Sequence, residues 1–146
     1  MKNLFAAIFC AFLAGCIADV KLPKGYSEEI QEGYFEDIPW PAEFDYVTED
    51  SYTYVAPGDD GRTRSARLVF EGLWTVEETV NFFKKNLPAN DFVVRKEPFV
   101  SKATDTVVLY YRKLTAPEYL DVRVERVEDR VRVVMDLGVY GGGGHR

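Results

Sequence analysis

The sequence predicts an α+β domain: an antiparallel β-sheet with one amphipathic helix packed on one face, in the order β-β-α-β-β-β-β. Three observations point there. Most of the chain beyond residue 50 alternates apolar and polar residues with a period of two, the mark of strands with one buried face. A single segment carries apolar residues at helical spacing behind a helix-start signal. A single amphipathic helix cannot cover both faces of a sheet, and the alternation is consistent with antiparallel strands that have one face buried and one wet.

Taken in order, Ser51-Tyr52-Thr53-Tyr54-Val55-Ala56 alternates and is rich in strand formers. Pro57-Gly58-Asp59-Asp60-Gly61 is a turn cluster. Beyond it Ala66, Leu68 and Phe70 share one face against Arg67 and Glu71, so the two runs read as a hairpin. Asp59 and Asp60 belong to that turn rather than to a calcium loop, because the spaced acids ending in Glu are missing. Thr75-Val76-Glu77-Glu78 matches a capping box and predicts a helix over 76–86. Its apolar stripe is Val76, Val80, Phe83 and Leu87, with Lys84 and Lys85 in the last turn and Pro88 ending it.

Phe92 and Val94 open the next strand, which Pro98 closes or bends. Val107, Leu109 and Tyr111 then share a face, with Val108 and Tyr110 opposite. Leu120, Val122 and Val124 alternate with Asp121, Arg123 and Glu125, and Val131, Val133, Met135 and Leu137 with Arg132 and Asp136. Val127-Glu128-Asp129-Arg130 joins these last two runs as a hairpin. Their polar faces carry both signs, so weak cross-strand pairs of arginine with carboxylates are expected.

This assigns the folded domain to residues 38–140. It opens on Ile38-Pro39-Trp40-Pro41-Ala42-Glu43-Phe44, where the prolines force an extended strap. Trp40 and Phe44 on that strap either cap the core or present an aromatic contact surface. Residues 16–37 read as a tether: acidic, with Pro23, Gly25 and Gly33, and without periodicity. Residues 141–146, four glycines followed by His145 and Arg146, read as a disordered tail. Residues 1–15 have the form of a signal peptide, with Lys2 at the start, an apolar run over 4–13 and small residues before the cut. That run is too short for a permanent span, which needs roughly 20 residues.

Leu13-Ala14-Gly15-Cys16 resembles the lipobox of bacterial lipoproteins at every position. The resemblance implies cleavage before Cys16, a diacylglyceryl group on its sulfur, and acylation, for instance by palmitate, of the freed amino group. Two or more chains anchor a protein stably where one holds it only marginally. Asp directly after the cysteine commonly retains Gram-negative members in the inner membrane. Ile17 stands there instead, which implies the outer membrane, facing the periplasm. The helix-on-sheet order and the Pro-x-Pro strap also resemble small bacterial envelope lipoproteins, a likeness that carries no activity with it.

Function classes narrow by chemistry. Removing residues 1–15 takes one lysine, so the net charge of −6 becomes −7. That disfavours a nucleic-acid partner and polybasic adhesion to lipid. Of the two cysteines, Cys10 leaves with the signal and Cys16 is consumed by lipidation, and the one histidine is His145. The mature domain therefore lacks a nucleophile–histidine pair and a histidine-rich metal site, and no cofactor is expected. The expectation is a non-enzymatic envelope protein, lipid-anchored to its membrane, that binds an envelope protein partner. Trp40, Phe44, Tyr52, Tyr54 and Tyr110 are the candidate contact residues, since aromatic side chains are common at interfaces. A peptidoglycan or carbohydrate-binding module is the alternative, because sugars stack on exposed aromatic rings. A hydrolase built on paired carboxylates stands third, with no pair to nominate.

The lipobox yields a direct test. Mass spectrometry of the mature N-terminus is expected to show an acylated Cys16, and Cys16→Ala is expected to remain unprocessed. An unmodified cysteine in the wild-type protein would refute the assignment.

Overall fold

The computed structural model describes residues 35–56 and 63–140. Cys16, the signal segment, the turn at 57–61 and the glycine tail lie outside them. The described residues form the expected architecture, a seven-stranded antiparallel sheet with a single α-helix. The strands are β1 (Asp45–Tyr46), β2 (Tyr52–Val55), β3 (Arg64–Gly72), β4 (Phe92–Ser101), β5 (Thr106–Lys113), β6 (Glu118–Val127) and β7 (Arg130–Val139), with α1 (Val76–Asn86) between β3 and β4. In space they run β1-β3-β7-β6-β5-β4, with β2 beside β1 on the outer edge of β3.

The helix starts and stops where its sequence directs. Thr75 Oγ1 accepts from the Glu78 amide at 3.1 Å, and Glu78 Oε2 accepts from the Thr75 amide at 2.8 Å, so both halves of the capping box are made. These contacts hold the Glu78 carboxyl below its usual pKa. Val76, Thr79, Val80 and Phe83 are the buried residues of the helix, and Leu87 closes the stripe at its C-cap. Thr79, polar at a core position, is satisfied by donating to the Thr75 carbonyl.

β3 and β4 run in the same direction, with β7, β6 and β5 between them. The connection therefore crosses four inter-strand spacings, about 19 Å. An 11-residue helix is about 16 Å long, close to that span, and α1 lies across the inner face over β6 and β5.

Two features depart from expectation. β1 is only two residues long and is separated from β2 by a 3-10 turn over Thr48–Asp50, too short for any periodic signal. The break is sealed by Ser51, whose Oγ donates to the Val47 carbonyl at 2.6 Å and accepts from the Val69 amide at 2.9 Å. The domain also begins before residue 38. Phe35 is 2% exposed and belongs to the core with Ile38 and Phe44. Phe35 and Asp37, assigned above to the tether, are therefore part of the fold. The physical reason is area: one helix leaves the inner face over β3 uncovered, and residues 35–44 cover it.

Phe83→Ala removes a fully buried ring, a change that costs about 3–5 kcal/mol. Lys84→Ala, on the exposed side of α1, is expected to stay within about 0.5 kcal/mol. Urea unfolding of the two variants checks this, and equal midpoints would refute the burial of this helix face.

Candidate functional site

The buried polar groups of the inner face come first, because catalysis would need one of them open. Arg64 lies on the same side of β3 as Ala66, Leu68 and Phe70, and Glu118 on the same side of β6 as Leu120 and Val122. Both are almost fully buried. Arg64 Nε and Nη2 donate to the two Glu118 carboxylate oxygens, each at 2.9 Å. Its Nη1 and Nη2 donate to the two Asp37 oxygens, each at 2.7 Å. Lys113 pairs with Asp37 from β5, and the Arg64 guanidinium sits over the Phe35 ring, 5.4 Å from its centroid.

Two cations and two carboxylates make this quartet neutral. Burial pushes the Asp37 carboxyl up, but the hydrogen bonds and charges of Arg64 and Lys113 outweigh it and hold the group below its usual range. Burial disfavours the Arg64 cation, and the two carboxylates more than restore it. The quartet fastens the strap to the sheet.

The candidate aromatic residues fall in three places. Trp40 stacks on Phe70, with centroids 5.1 Å apart and planes 19° apart, and remains 40% exposed. One of its faces belongs to the core. Phe44 is a correction: it is buried, edge-on to Trp74 at 5.5 Å, and presents no contact surface. Its ring lies against Gly72, where a Cβ would meet Phe44 carbons at 2.2 Å, so Gly72 leaves the space that Phe44 fills. Tyr52 and Tyr54 are both exposed on the outer face of β2. Tyr110 is on the same outer face but on β5, about 19 Å away across four strand spacings.

The strand registers lay out that outer face in rows. One row reads Lys96, Tyr110, Asp121, Asp136, Arg67 and Tyr52 across the sheet. Asp121 and Asp136 stand directly opposite each other, an unfavourable pairing of like charges. Each is neutralised from its other side, Asp121 by Arg95 and Asp136 by Arg67, both at 2.7 Å. The expected pairs of arginine with carboxylates thus exist, but they join β7 to β3 and, reaching across β5, β6 to β4. Arg95 further lies over the Tyr110 and Tyr119 rings. Tyr119 covers Gly138, where a Cβ would sit 2.4 Å from the phenol oxygen.

The adjacent row is Phe99, Val108, Arg123, Val134 and Val69. Val69 and Val134 lie in a depression of about 230 Å³, with Arg67, Arg123 and Arg132 around it and Asp50 and Glu125 on the acidic side. Arg132 pairs with Asp50 and with Glu71. Arg123, exposed in the middle of the face, forms no ion pair with any described residue. This is a shallow, mainly polar recess with the Arg123 guanidinium beside it. Among the described residues no group of three or more His, Cys, Asp or Glu could hold a metal ion, and no helix is long and apolar enough to cross a membrane.

Sequence reasoning passed over the quartet and Arg123. The quartet had a signal: Arg64 and Glu118 sit at core-facing positions of otherwise apolar alternations. Arg123 had none, since charged residues fill the outer positions of every late strand. No protein family matches the chain, and none of the curated proteins matches it.

Glu118→Gln leaves the Arg64 charge under-compensated in the core, and breaking a buried pair in this way costs about 3–5 kcal/mol. Asp136→Asn, in an exposed pair, is expected to cost about 1 kcal/mol or less. Because the Asp37 carboxyl titrates lower in the folded protein, its stabilisation is complete above the ordinary aspartate pKa and is lost as pH falls through the folded-state value. Urea midpoints between neutral pH and about pH 3 are expected to fall less steeply in Asp37→Asn than in the wild type. Identical slopes would refute this role for Asp37.

Proposed function

We propose that this chain is a lipid-anchored protein of the bacterial cell envelope whose folded domain binds a partner protein and has no catalytic role. The observation that carries the reading is the sequence Leu13-Ala14-Gly15-Cys16 at the end of a signal-like segment. With Ile17 following the cysteine, the reading places the protein in the outer membrane of a Gram-negative cell, facing the periplasm. The membrane is met through the lipid, and nucleic acid is not a partner.

The geometry supports binding through the outer sheet face. On the inner face Arg64, Glu118, Asp37 and Lys113 pair with one another, a structural use of buried charge. The outer face combines a shallow polar recess floored by Val69 and Val134, an Arg123 with no ion pair among the described residues, and exposed tyrosines. Arginine and tyrosine are frequent hot-spot residues at protein interfaces. Tyr52 and Tyr54, side by side on an exposed edge strand, favour carbohydrate stacking as the second reading. Trp40 fits a smaller part than its strap position suggested, because Phe70 already takes one ring face.

Photo-crosslinking in intact cells tests this. A crosslinker at position 123 is expected to capture a specific partner, and one at Glu77, on the far side of the domain, to capture none. Arg123→Glu is expected to cut partner recovery at least about thirtyfold, the equivalent of a hot spot near 2 kcal/mol, with an unchanged urea midpoint. Turnover of peptidoglycan or another envelope polymer by the purified protein would overturn the binding role. Retention on glycan strands that Tyr52→Ala abolishes would favour the carbohydrate reading.

A further inference from the structure

A second concavity opens at the free β4 edge, where α1 ends, and reaches round that edge to the outer-facing Tyr110 and Lys96. The helix packs over β6 and β5, and β4 is the free edge of the sheet. Val94 and Val100, which pair with inner-facing Tyr111 and Val107, consequently stay 64% and 59% exposed. Between the end of α1 and this edge lies a groove of about 260 Å³, lined by Pro88, Val94, Leu109 and Tyr111 with Lys84 and Lys96 among its walls.

Three properties define what fits it. First, the lining is apolar apart from a few groups. Tyr111 is only 2% exposed, yet its hydroxyl makes no hydrogen bond with any described residue. Burial raises its pKa, so it is a neutral donor at physiological pH. Second, the two cations lack carboxylate partners. The Lys96 ammonium rests on the Tyr110 ring, 3.7 Å from its centroid, and Lys84 enters no ion pair. Among the described residues Arg67, Arg95, Arg126, Arg130 and Arg132 each have a carboxylate, whereas Lys84 and Lys96, like Lys85, Lys102, Arg112 and Arg123, have none; what sets Lys84 and Lys96 apart is that they flank one apolar groove. An anion is the complement. Third, the edge is closed to an added strand: the β4 register breaks between Val94 and Lys96 and again between Lys96 and Phe99, and Pro98 has no amide hydrogen. Recognition here runs through side chains and not through a peptide backbone ladder.

We propose that this groove binds a small acyl carboxylate. The chain lies on Val94, Leu109 and Pro88, the Lys84 and Lys96 ammoniums attract the carboxylate, and the Tyr111 hydroxyl supplies a hydrogen bond. The volume lies just below the range of about 300–1,000 Å³ usual for small-molecule sites, which points to a medium-length chain. The site is separate from the outer-face depression and does not depend on the partner-binding reading.

Octanoate is the probe. With the mature lipidated protein in nanodiscs, methyl NMR is expected to show saturable shifts at Val94 and Leu109. The double variant Lys84→Ala/Lys96→Ala, both exposed positions, is expected to weaken octanoate at least tenfold with an unchanged unfolding midpoint. Octanol is expected to bind the wild type at least tenfold more weakly than octanoate. Absence of saturable shifts, equal affinity for octanol, unchanged octanoate affinity in the double variant, or shifts centred on Arg123 would each overturn the proposal.

Discussion

The fold depends on Arg64. A seven-stranded sheet is wider than one helix can cover, and α1 takes only the β5–β6 side of the inner face. The strap supplies the rest, but it is not extended as its prolines suggested: it folds into two turns, closed by the Ile38 amide donating to the Phe35 carbonyl and the Phe44 amide to that of Pro41, and has no ladder to the sheet. Arg64 supplies the attachment. It holds Glu118 of the sheet with one edge of its guanidinium and Asp37 of the strap with another. Lys113 completes the neutralisation from β5. Arginine suits this position because a planar fork can serve two carboxylates bidentately, which a lysine ammonium cannot do. Apolar residues of similar volume often match or exceed the stability of such buried groups. The contribution of these groups is thus directional: they fix where Phe35 and Ile38 enter the core.

The same sheet carries a different electrostatic design on its other side. The chain is acidic overall, yet its arginines gather on the outer face, most of them held by carboxylates of an adjacent strand, of a strand one further away, or of the 3-10 turn. The Asp121–Asp136 opposition shows how such a face is built. Two like charges face each other across one ladder, and each is satisfied by an arginine on the far side. The result is a charged surface that is locally near neutral, with Arg112 and Arg123 the outer-face arginines that form no ion pair among the described residues. A partner meeting this face finds oriented, partly desolvated hydrogen-bond groups and not a broad electrostatic field. Contacts of that kind contribute specificity and register more than long-range attraction.

The two sheet edges are also treated differently. The β3 edge is covered by β1 and β2 and sealed at their junction by Ser51. The β4 edge is free but irregular, with register breaks, Lys96 and Pro98, the devices by which natural sheets avoid pairing with other chains. For a protein proposed to be concentrated on a membrane surface by its lipid, that protection has a clear value. It also leaves Val94 and Val100 exposed beside the end of α1, where the acyl-carboxylate groove lies.

The sequence by itself determined every element whose information is local. The capping box, the stripe from Val76 to Leu87 and Pro88 placed α1, and period-two alternation placed β2, β3, β5, β6 and β7, with the inward residues marked in β3, β6 and β7 where apolar positions alternate with charged ones, because each signal repeats within a few neighbours along the chain. The proline at position 98 foretold the irregularity of β4. What only the tertiary structure decided was which distant segments meet. Phe35 and Asp37 look like acidic linker until Arg64 and Lys113 are brought to them from β3 and β5. Phe44 looks like a surface aromatic until Gly72 offers it a place. Tyr52 and Tyr110 share an outer row but stand about 19 Å apart, four strand spacings, and no spacing along the chain encodes that. Alternation tells which face a side chain takes. It does not tell which strand lies alongside, and both the clamp on the strap and the isolation of Arg123 are consequences of strand order.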